Sequence, residues 1–541
     1  MKKVILFILF ASLIMLFSVF FIFTTEKSDL LDVENTEINA TITTDDEGHV
    51  TISWEPLPYT YLYKVEVYEP TTRIIDAEPE ERLLYSSTTL GTSLELKKTA
   101  VPEYYKITAY GLFGKVTHEP KIVYDSNFPT PPHPVAIYKY PEEKKASLMP
   151  FLVWHKVPGA VCYELEILSA PPTDEGGTAF SPQNHLFDTR QIFTNGYQVD
   201  LRPFANLPVV YWRARALGLH LEPIGEFSPA EPIYLDASLP LPDKPIINIF
   251  DQEDDFTMPI YPAFEWIPLH DGKRYEVELM VEPPAEENNT EPSPNRVWSM
   301  ITSDLTSTYD EYARRYAGEY YWRVRAIDDK GNTIGRYSDT EEFVVKEQKS
   351  RPKVIAFGDS ITHGGGEVSY SPRSLEYSYT SYLDFPALNL GHSGDTTRTT
   401  LERFNEDVLP FNPENLLIMT GSNSLRSSMI SANDMISDLA EIGRLCEEHD
   451  IRPIFLTLMP INPDNIMFAF QTPTDINWHA KMSAVNDFIR TQPYFIDLEP
   501  YFYDAEHKVL DTTLSADGLH PGIRGKKLMA EIINLHKDLL K

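Results

Sequence analysis

Cysteine is almost missing from this 541-residue chain. Cys162 and Cys446 are the whole complement, and they fall in different predicted domains. That excludes a disulfide framework and a cysteine-based metal site. No His-x-x-x-His pair or carboxylate group has metal-ligand spacing either, so neither a metal nor any other cofactor is expected. Basic residues are in short supply, with 47 Lys and Arg against 80 Asp and Glu and a formal charge of −33. A polyanion is repelled by phosphate backbones, which excludes nucleic acid as a partner. Acid spread along most of the length reads as a solvated surface.

Long apolar runs are also absent, with one exception. Met1-Lys2-Lys3 precedes residues 4–23, in which only Ser12 and Ser18 are polar. A helix of that length covers roughly 30 Å, the hydrocarbon thickness of a bilayer. The run exceeds the apolar core of a cleavable signal, and Phe20-Phe21-Ile22-Phe23-Thr24-Thr25-Glu26 offers no Ala-x-Ala site. Residues 1–25 are therefore read as a cytoplasmic tip and an uncleaved transmembrane helix. Lys2 and Lys3 keep the N-terminus in the cytoplasm and leave the rest outside. Secretion after signal cleavage is the alternative.

What is present is enough for several globular domains: 42% of residues are apolar and 12% aromatic. An internal repeat runs from residue 40 to 346. Trp54, Trp154 and Trp266 are each followed nine residues later by a tyrosine opening a strand: Tyr63-Lys64-Val65-Glu66-Val67, Tyr163-Glu164-Leu165-Glu166-Ile167 and Tyr275-Glu276-Val277-Glu278-Leu279. Apolar and charged residues alternate along these strands, as if one face were buried and one wet. A later strand recurs as Tyr105-Lys106-Ile107, Trp212-Arg213-Ala214 and Trp322-Arg323-Val324. Units of this kind predict antiparallel β-sandwiches over 40–127, 132–238 and 242–347, with the tryptophans in their cores. The pattern resembles fibronectin type III, or Ig-like, modules. The three are expected to form a stalk.

After residue 350 strands alternate with helices. Short buried strands are expected at 354–357, 387–390, 416–420, 454–458 and 495–497, and helices at 432–449, 478–489 and from about 524. This alternation predicts a parallel sheet with helices on both faces, over 352–541. The apolar stretch Val354-Ile355-Ala356-Phe357 breaks at Gly358-Asp359-Ser360, a strand-to-helix turn that presents a hydroxyl at a strand's carboxyl end. A serine needs a base within reach to act as a nucleophile. His520 is the candidate, and Asp517 lies three residues before it on one loop, close enough to hold the imidazole tautomer. There is no Gly-x-Ser-x-Gly, which excludes the nucleophile elbow of α/β-hydrolases.

Four blocks occur in order: Gly358-Asp359-Ser360, Gly391-His392-Ser393-Gly394-Asp395, Gly421-Ser422-Asn423-Ser424 and Asp517-Gly518-Leu519-His520-Pro521. Their order resembles the SGNH (GDSL) hydrolase family. The resemblance implies a flavodoxin-like α/β/α fold and a Ser360, His520, Asp517 triad. It also implies an oxyanion hole from the Ser360 and Gly394 N–H groups and the Asn423 amide. Ser424 departs from the family, where an aspartate commonly supports the loop. His363, His392 and Arg398 read as polar rim residues and His479 as structural. The long loop containing Ile466-Met467-Phe468-Ala469-Phe470 is a candidate lid or apolar lining. The expected function is an extracytoplasmic serine esterase that removes acetyl or other short acyl groups from carbohydrate. The alternatives are a lipolytic or thioester hydrolase with the same residues, and a surface adhesion or scaffold protein.

Overall fold

The computed structural model describes residues 38–541 apart from 39, 45–48, 70–81, 98–103, 112–113, 115, 118–120, 125–132, 173–179, 253–255, 349 and 505–507. The apolar run at 4–23 lies outside the described residues. Among the described residues, no helix is long and apolar enough to cross a membrane. The chain divides into two compact units, residues 1–131 and 132–541.

In the first unit, two antiparallel sheets enclose one core. One has three strands (Ala40–Thr44, His49–Trp54, Ser93–Lys97) and the other four (Arg82–Thr89, Leu62–Glu69, Tyr104–Tyr110, Lys121–Tyr124). Trp54, Val50 and Ile52 of one sheet meet Tyr63, Val65 and Ile107 of the other.

The Trp-to-Tyr spacing of nine has a physical reason that repeats in all three modules. The two rings pack at 5.0 Å (Trp54–Tyr63), 5.3 Å (Trp154–Tyr163) and 5.2 Å (Trp266–Tyr275). Each tyrosine hydroxyl also closes the turn between the strands. It accepts from the Leu57 N–H at 3.1 Å and the Val157 N–H at 2.8 Å, and donates to the Leu269 carbonyl at 3.3 Å. Trp54, Trp154 and Trp266 are core residues, and their Nε1 atoms are buried without partners.

In the second and third modules the charged strand face is not wet. Glu166 and Arg213 are both fully buried and paired at 2.7 Å, as are Glu278 and Arg323. Phe227 covers the first arginine ladder and Tyr337 the second, with guanidinium-to-ring distances of 4.3 Å from Arg213 and 4.0 Å from Arg323. An alternating pattern shows which residues share a face; it does not show that a second layer covers that face.

The third module and the C-terminal domain are not stalk and cargo. In the unit 132–541 the loop after Ser360 docks on both modules: the Tyr370 hydroxyl donates to the Val157 carbonyl at 2.8 Å, and Glu265 accepts from the Ser371 N–H and from Lys156. Tyr261 of the third module donates to Asp407. Hence the stalk expectation fails for the second and third modules.

The C-terminal sheet is parallel, with strands β1 (Val354–Gly358), β2 (Leu388–Gly391), β3 (Asn415–Met419), β4 (Arg452–Leu456) and β5 (Phe495–Ile496) in the order β2-β1-β3-β4-β5. Helices pack on both faces. Ala432–Glu448 and Trp478–Arg490 bury Leu439, Ile442, Met482 and Val485 in the core that holds Ile355 and Phe357 of β1. Ile523–Leu535 packs Met529 and Ile533 against Val354 and Ala356 on the other side. This order places a topological switch beside β1, where open α/β sheets bind ligands.

Candidate active site

Four loops at the carboxyl ends of the strands, or near them, converge on one cleft. β1 ends in Gly358, where a Cβ would lie 1.8 Å from the Met419 carbonyl oxygen of β3, so only glycine lets the strands close up there. Asp359 follows as the cap of a short helix, Ser360–His363, and its carboxylate accepts from the Ile361 N–H at 3.1 Å. The same carboxylate accepts from Gly421 and Ser422 at 3.2 Å each, tying the serine turn to the loop after β3. Burial pushes the Asp359 carboxyl above its usual range, against those three amides.

Ser360 is 8% exposed, and its hydroxyl lies 3.0 Å from His520 Nε2. On the other side of the ring, Nδ1 lies 2.9 Å from Asp517 Oδ2. Asp517 is fully buried and its other oxygen accepts from the Leu519 N–H at 2.8 Å, the His520 N–H at 2.7 Å and the Ser515 hydroxyl at 3.2 Å. Burial alone would raise its pKa; the neighbouring His520 and these hydrogen bonds outweigh that and hold it below the usual carboxylate range. An ionised Asp517 makes Nδ1 a donor, which leaves Nε2 able to accept the serine proton. Beneath the turn, buried Lys526 donates to the Ile361 carbonyl at 2.5 Å, and burial lowers its pKa to about 7.

The three donors named from the sequence line the same cleft as Ser360 and His520. Among the described residues the Ser360 and Gly394 N–H groups make no hydrogen bond. Gly394 has φ +89°, a conformation that side chains resist, although a Cβ there would meet nothing closer than 3.7 Å. Asn423 spends one amide hydrogen on the Asp395 carbonyl at 3.0 Å and has a second left. Ser424 supports its loop without an aspartate. Its buried hydroxyl accepts from the Thr397 N–H at 3.0 Å, while Asp438 accepts from the Thr397 hydroxyl at 2.9 Å.

Several residues at the site escaped sequence reasoning. His363 is no rim residue. It is buried, with Nε2 donating to the Tyr261 carbonyl and Nδ1 accepting from the Ser393 hydroxyl, both at 2.9 Å. Burial lowers its pKa to about 3, with the Tyr261 bond acting the other way. Below an unfolded pKa of about 6.5 the unfolded state gains a proton that the folded state refuses. His363 should therefore erode stability progressively as pH falls from about 6.5 towards about 3. Chemical denaturation at stepped pH should show a flatter acid limb in His363→Asn. An identical limb would contradict the assignment.

Tyr309, from the third module, donates to the Ser393 carbonyl at 3.1 Å. That carbonyl belongs to the same peptide group as the Gly394 N–H, so the bond orients and polarises the donor that faces the cleft. His392 pairs with Asp395 at 3.0 Å, and its ring packs at a tilt of 57° against Tyr261, 4.6 Å away. Arg398 is an exposed partner of Asp438 at 2.8 Å, and His479 packs on Trp478 at 5.2 Å. The segment read as a loop after β4 is instead a helix, Pro463–Phe470, started by an Asn462 cap and a proline in its first turn. Ile466 is buried in the core, and Phe470 meets the His520 ring edge-on at 5.8 Å.

Among the described residues, no group of His, Cys, Asp and Glu side chains could hold a metal ion. The assembled groups can perform acyl transfer: a hydroxyl beside a base, an acid that orients the base, and N–H donors facing the same space.

Residues 356–528 match the family model described as GDSL-like Lipase/Acylhydrolase. An uncharacterized lipoprotein of Bacillus subtilis, YqeF, is 30% identical over 131 residues, 22% of this chain and 53% of that protein. The chain thus spans about half the length of the curated relative it matches. Among solved structures, the lipase/acylhydrolase from Enterococcus faecalis is 23% identical, over 35% of this chain and 97% of that one, with a TM-score of 0.28. A GDSL-like lipase from Bacteroides thetaiotaomicron is 20% identical, over 35% and 91%, with a TM-score of 0.29. A catalytic mutant of an acetylxylan esterase from Geobacillus stearothermophilus is 17% identical, over 33% and 91%, with a TM-score of 0.27. Over residues 356–528 this chain carries a domain of the GDSL-like lipase/acylhydrolase family.

Proposed function

We propose that the protein is an extracytoplasmic serine esterase that removes acetyl or other short acyl groups from carbohydrate. One observation carries the reading: the unbroken relay from Ser360 Oγ through His520 to Asp517, at 3.0 and 2.9 Å, opening on a cleft with unused N–H donors. In the first step Ser360 Oγ attacks the ester carbonyl carbon while His520 Nε2 takes the hydroxyl proton. Charge developing on the carbonyl oxygen is met by the Ser360 and Gly394 N–H groups and the Asn423 amide. Such a donor is typically worth about 3–4 kcal/mol. The alkoxide leaves with the proton from His520. Water, deprotonated by the same nitrogen, then cleaves the acyl-enzyme and restores Ser360.

The cleft supports the acyl length and the acceptor class. It measures about 310 Å³, the small end of ligand sites. Ser307, Thr308, Ser371 and Ser393 give it hydroxyls, which suit a sugar. Of the segment offered as apolar lining for a lipolytic or thioester hydrolase, Ile466 is buried in the core and Phe470 lines the cleft. A scaffold role would not need the relay. The location rests on the apolar run at 4–23 and on likeness to a protein named a lipoprotein.

The test is a rate series on p-nitrophenyl esters from acetyl to octanoyl, with acetylated polysaccharide alongside. We expect kcat/KM to fall as the chain lengthens and acetate to be released from the polysaccharide. A rate that climbs towards octanoyl would support the lipolytic reading instead.

A further inference from the structure

The chain carries 80 acidic residues, yet no Asp or Glu is among the described residues lining the cleft. Its one lysine or arginine is Arg426, at the end of the short helix that begins after Gly421 and includes Asn423. Among the described residues the Arg426 guanidinium makes no hydrogen bond and no ion pair, and its Nε is buried without a partner. The neighbouring acids are engaged elsewhere. Asp517 is held by His520, and Asp475, whose N–H reaches the Arg426 carbonyl, gives its carboxylate to Lys481 at 2.5 Å. Phe470 lies under the guanidinium at 5.6 Å and also faces His520, so one ring links the cation to the base. Burial lowers the pKa of the Arg426 guanidinium against the opposing charge of Asp517, a carboxylate that His520 already holds.

We propose that Arg426 is a specificity-determining residue that binds a carboxylate on the acyl-bearing sugar, so that the substrate is an acylated acidic glycan. The assignment rests on the esterase reading for its ester and on Arg426 alone for its anion. A guanidinium presents a planar fork that matches a carboxylate in two parallel hydrogen bonds. In a chain of charge −33 a polyanionic substrate is repelled at long range, so a local cation in an acid-free cleft is what makes its binding possible. Phosphate would suit the same fork. The cleft mixes serine and threonine hydroxyls with Val368, Pro372, Phe470 and Leu519, and its small volume favours a sugar carboxylate over a phospholipid headgroup with its chains.

The test has a binding arm and a kinetic arm, both on the full chain. In a Ser360→Ala background, trigalacturonate is titrated calorimetrically against Arg426 and Arg426→Gln proteins. Loss of one charge-assisted contact should weaken binding about ten- to a hundredfold, and added salt should narrow the gap. Arg426→Lys, which keeps the charge, should fall between. In the kinetic arm, the ratio of kcat/KM on acetylated polygalacturonate to that on acetylated xylan should drop by a similar factor in Arg426→Gln.

Equal trigalacturonate binding with and without Arg426, or no binding by either, would overturn the proposal. So would an unchanged substrate ratio, even with Ser360-dependent turnover of neutral esters intact. If no ester is turned over, the esterase reading fails and the binding arm alone decides on Arg426. An Arg426-dependent preference for lysophospholipid micelles over both polysaccharides would assign the site to phosphate and overturn the sugar.

Discussion

Replacing Ser360 with alanine should lower kcat on any ester by about 10⁴- to 10⁶-fold while leaving the fold in place. The side chain gives one hydrogen bond, to His520 Nε2, and sits at the start of a short helix that tolerates alanine well. Stability should change by no more than about 1 kcal/mol. What survives is the rest of the site: the Gly394 and Asn423 donors and the imidazole can still polarise a bound ester towards water. A thermal melt beside a stopped assay separates the two effects. Loss of folding together with loss of rate would leave the nucleophile unassigned to chemistry, whereas an intact melt with residual turnover near wild type would contradict the role.

Asp517→Asn should be nearly as damaging, at about 10⁴-fold in kcat, for a different reason. The carboxylate is fully buried and accepts from His520 Nδ1, two backbone N–H groups and the Ser515 hydroxyl. An amide can keep some of these as acceptor. Its NH₂ turned to Nδ1 would make that nitrogen accept, which moves the proton to Nε2 and points an N–H at the serine. The base is then in the wrong tautomer. The carboxylate also stabilises the folded state: its lowered pKa means that this contribution is present above the unfolded carboxyl range and is lost as pH falls through the folded value. The variant should therefore lose acid sensitivity as well as rate. A kcat within tenfold of wild type would show that Asp517 only packs.

Much of the C-terminal domain was legible because its signals are local. Parallel strands covered on both faces read as apolar runs, and all five were placed within about two residues of their observed ends. Asp517 and His520 share one loop, so their pairing follows from a spacing of three. Contacts made across domains left no such trace. Tyr309 and Ser393 are 84 residues apart, and Tyr261 and His363 are 102. No periodicity reports them, so His363 read as a rim residue and the modules as a stalk. The charged faces of the second and third modules failed for a related reason. Glu166 and Arg213 look solvent-facing until Phe227 is placed over them. The helix Pro463–Phe470 was missed although Asn462 and Pro463 together are a start signal.

The central claim is that Ser360 is a nucleophile made reactive by His520, and it can be read on the residue itself. The full chain is treated with a fluorophosphonate at equal concentration, digested, and the adduct located by mass spectrometry, with a His520→Ala protein in parallel. The account predicts one adduct per chain, on Ser360, formed at least 100-fold more slowly without His520. An adduct on another residue, or equal labelling of Ser360 in both proteins, would contradict it.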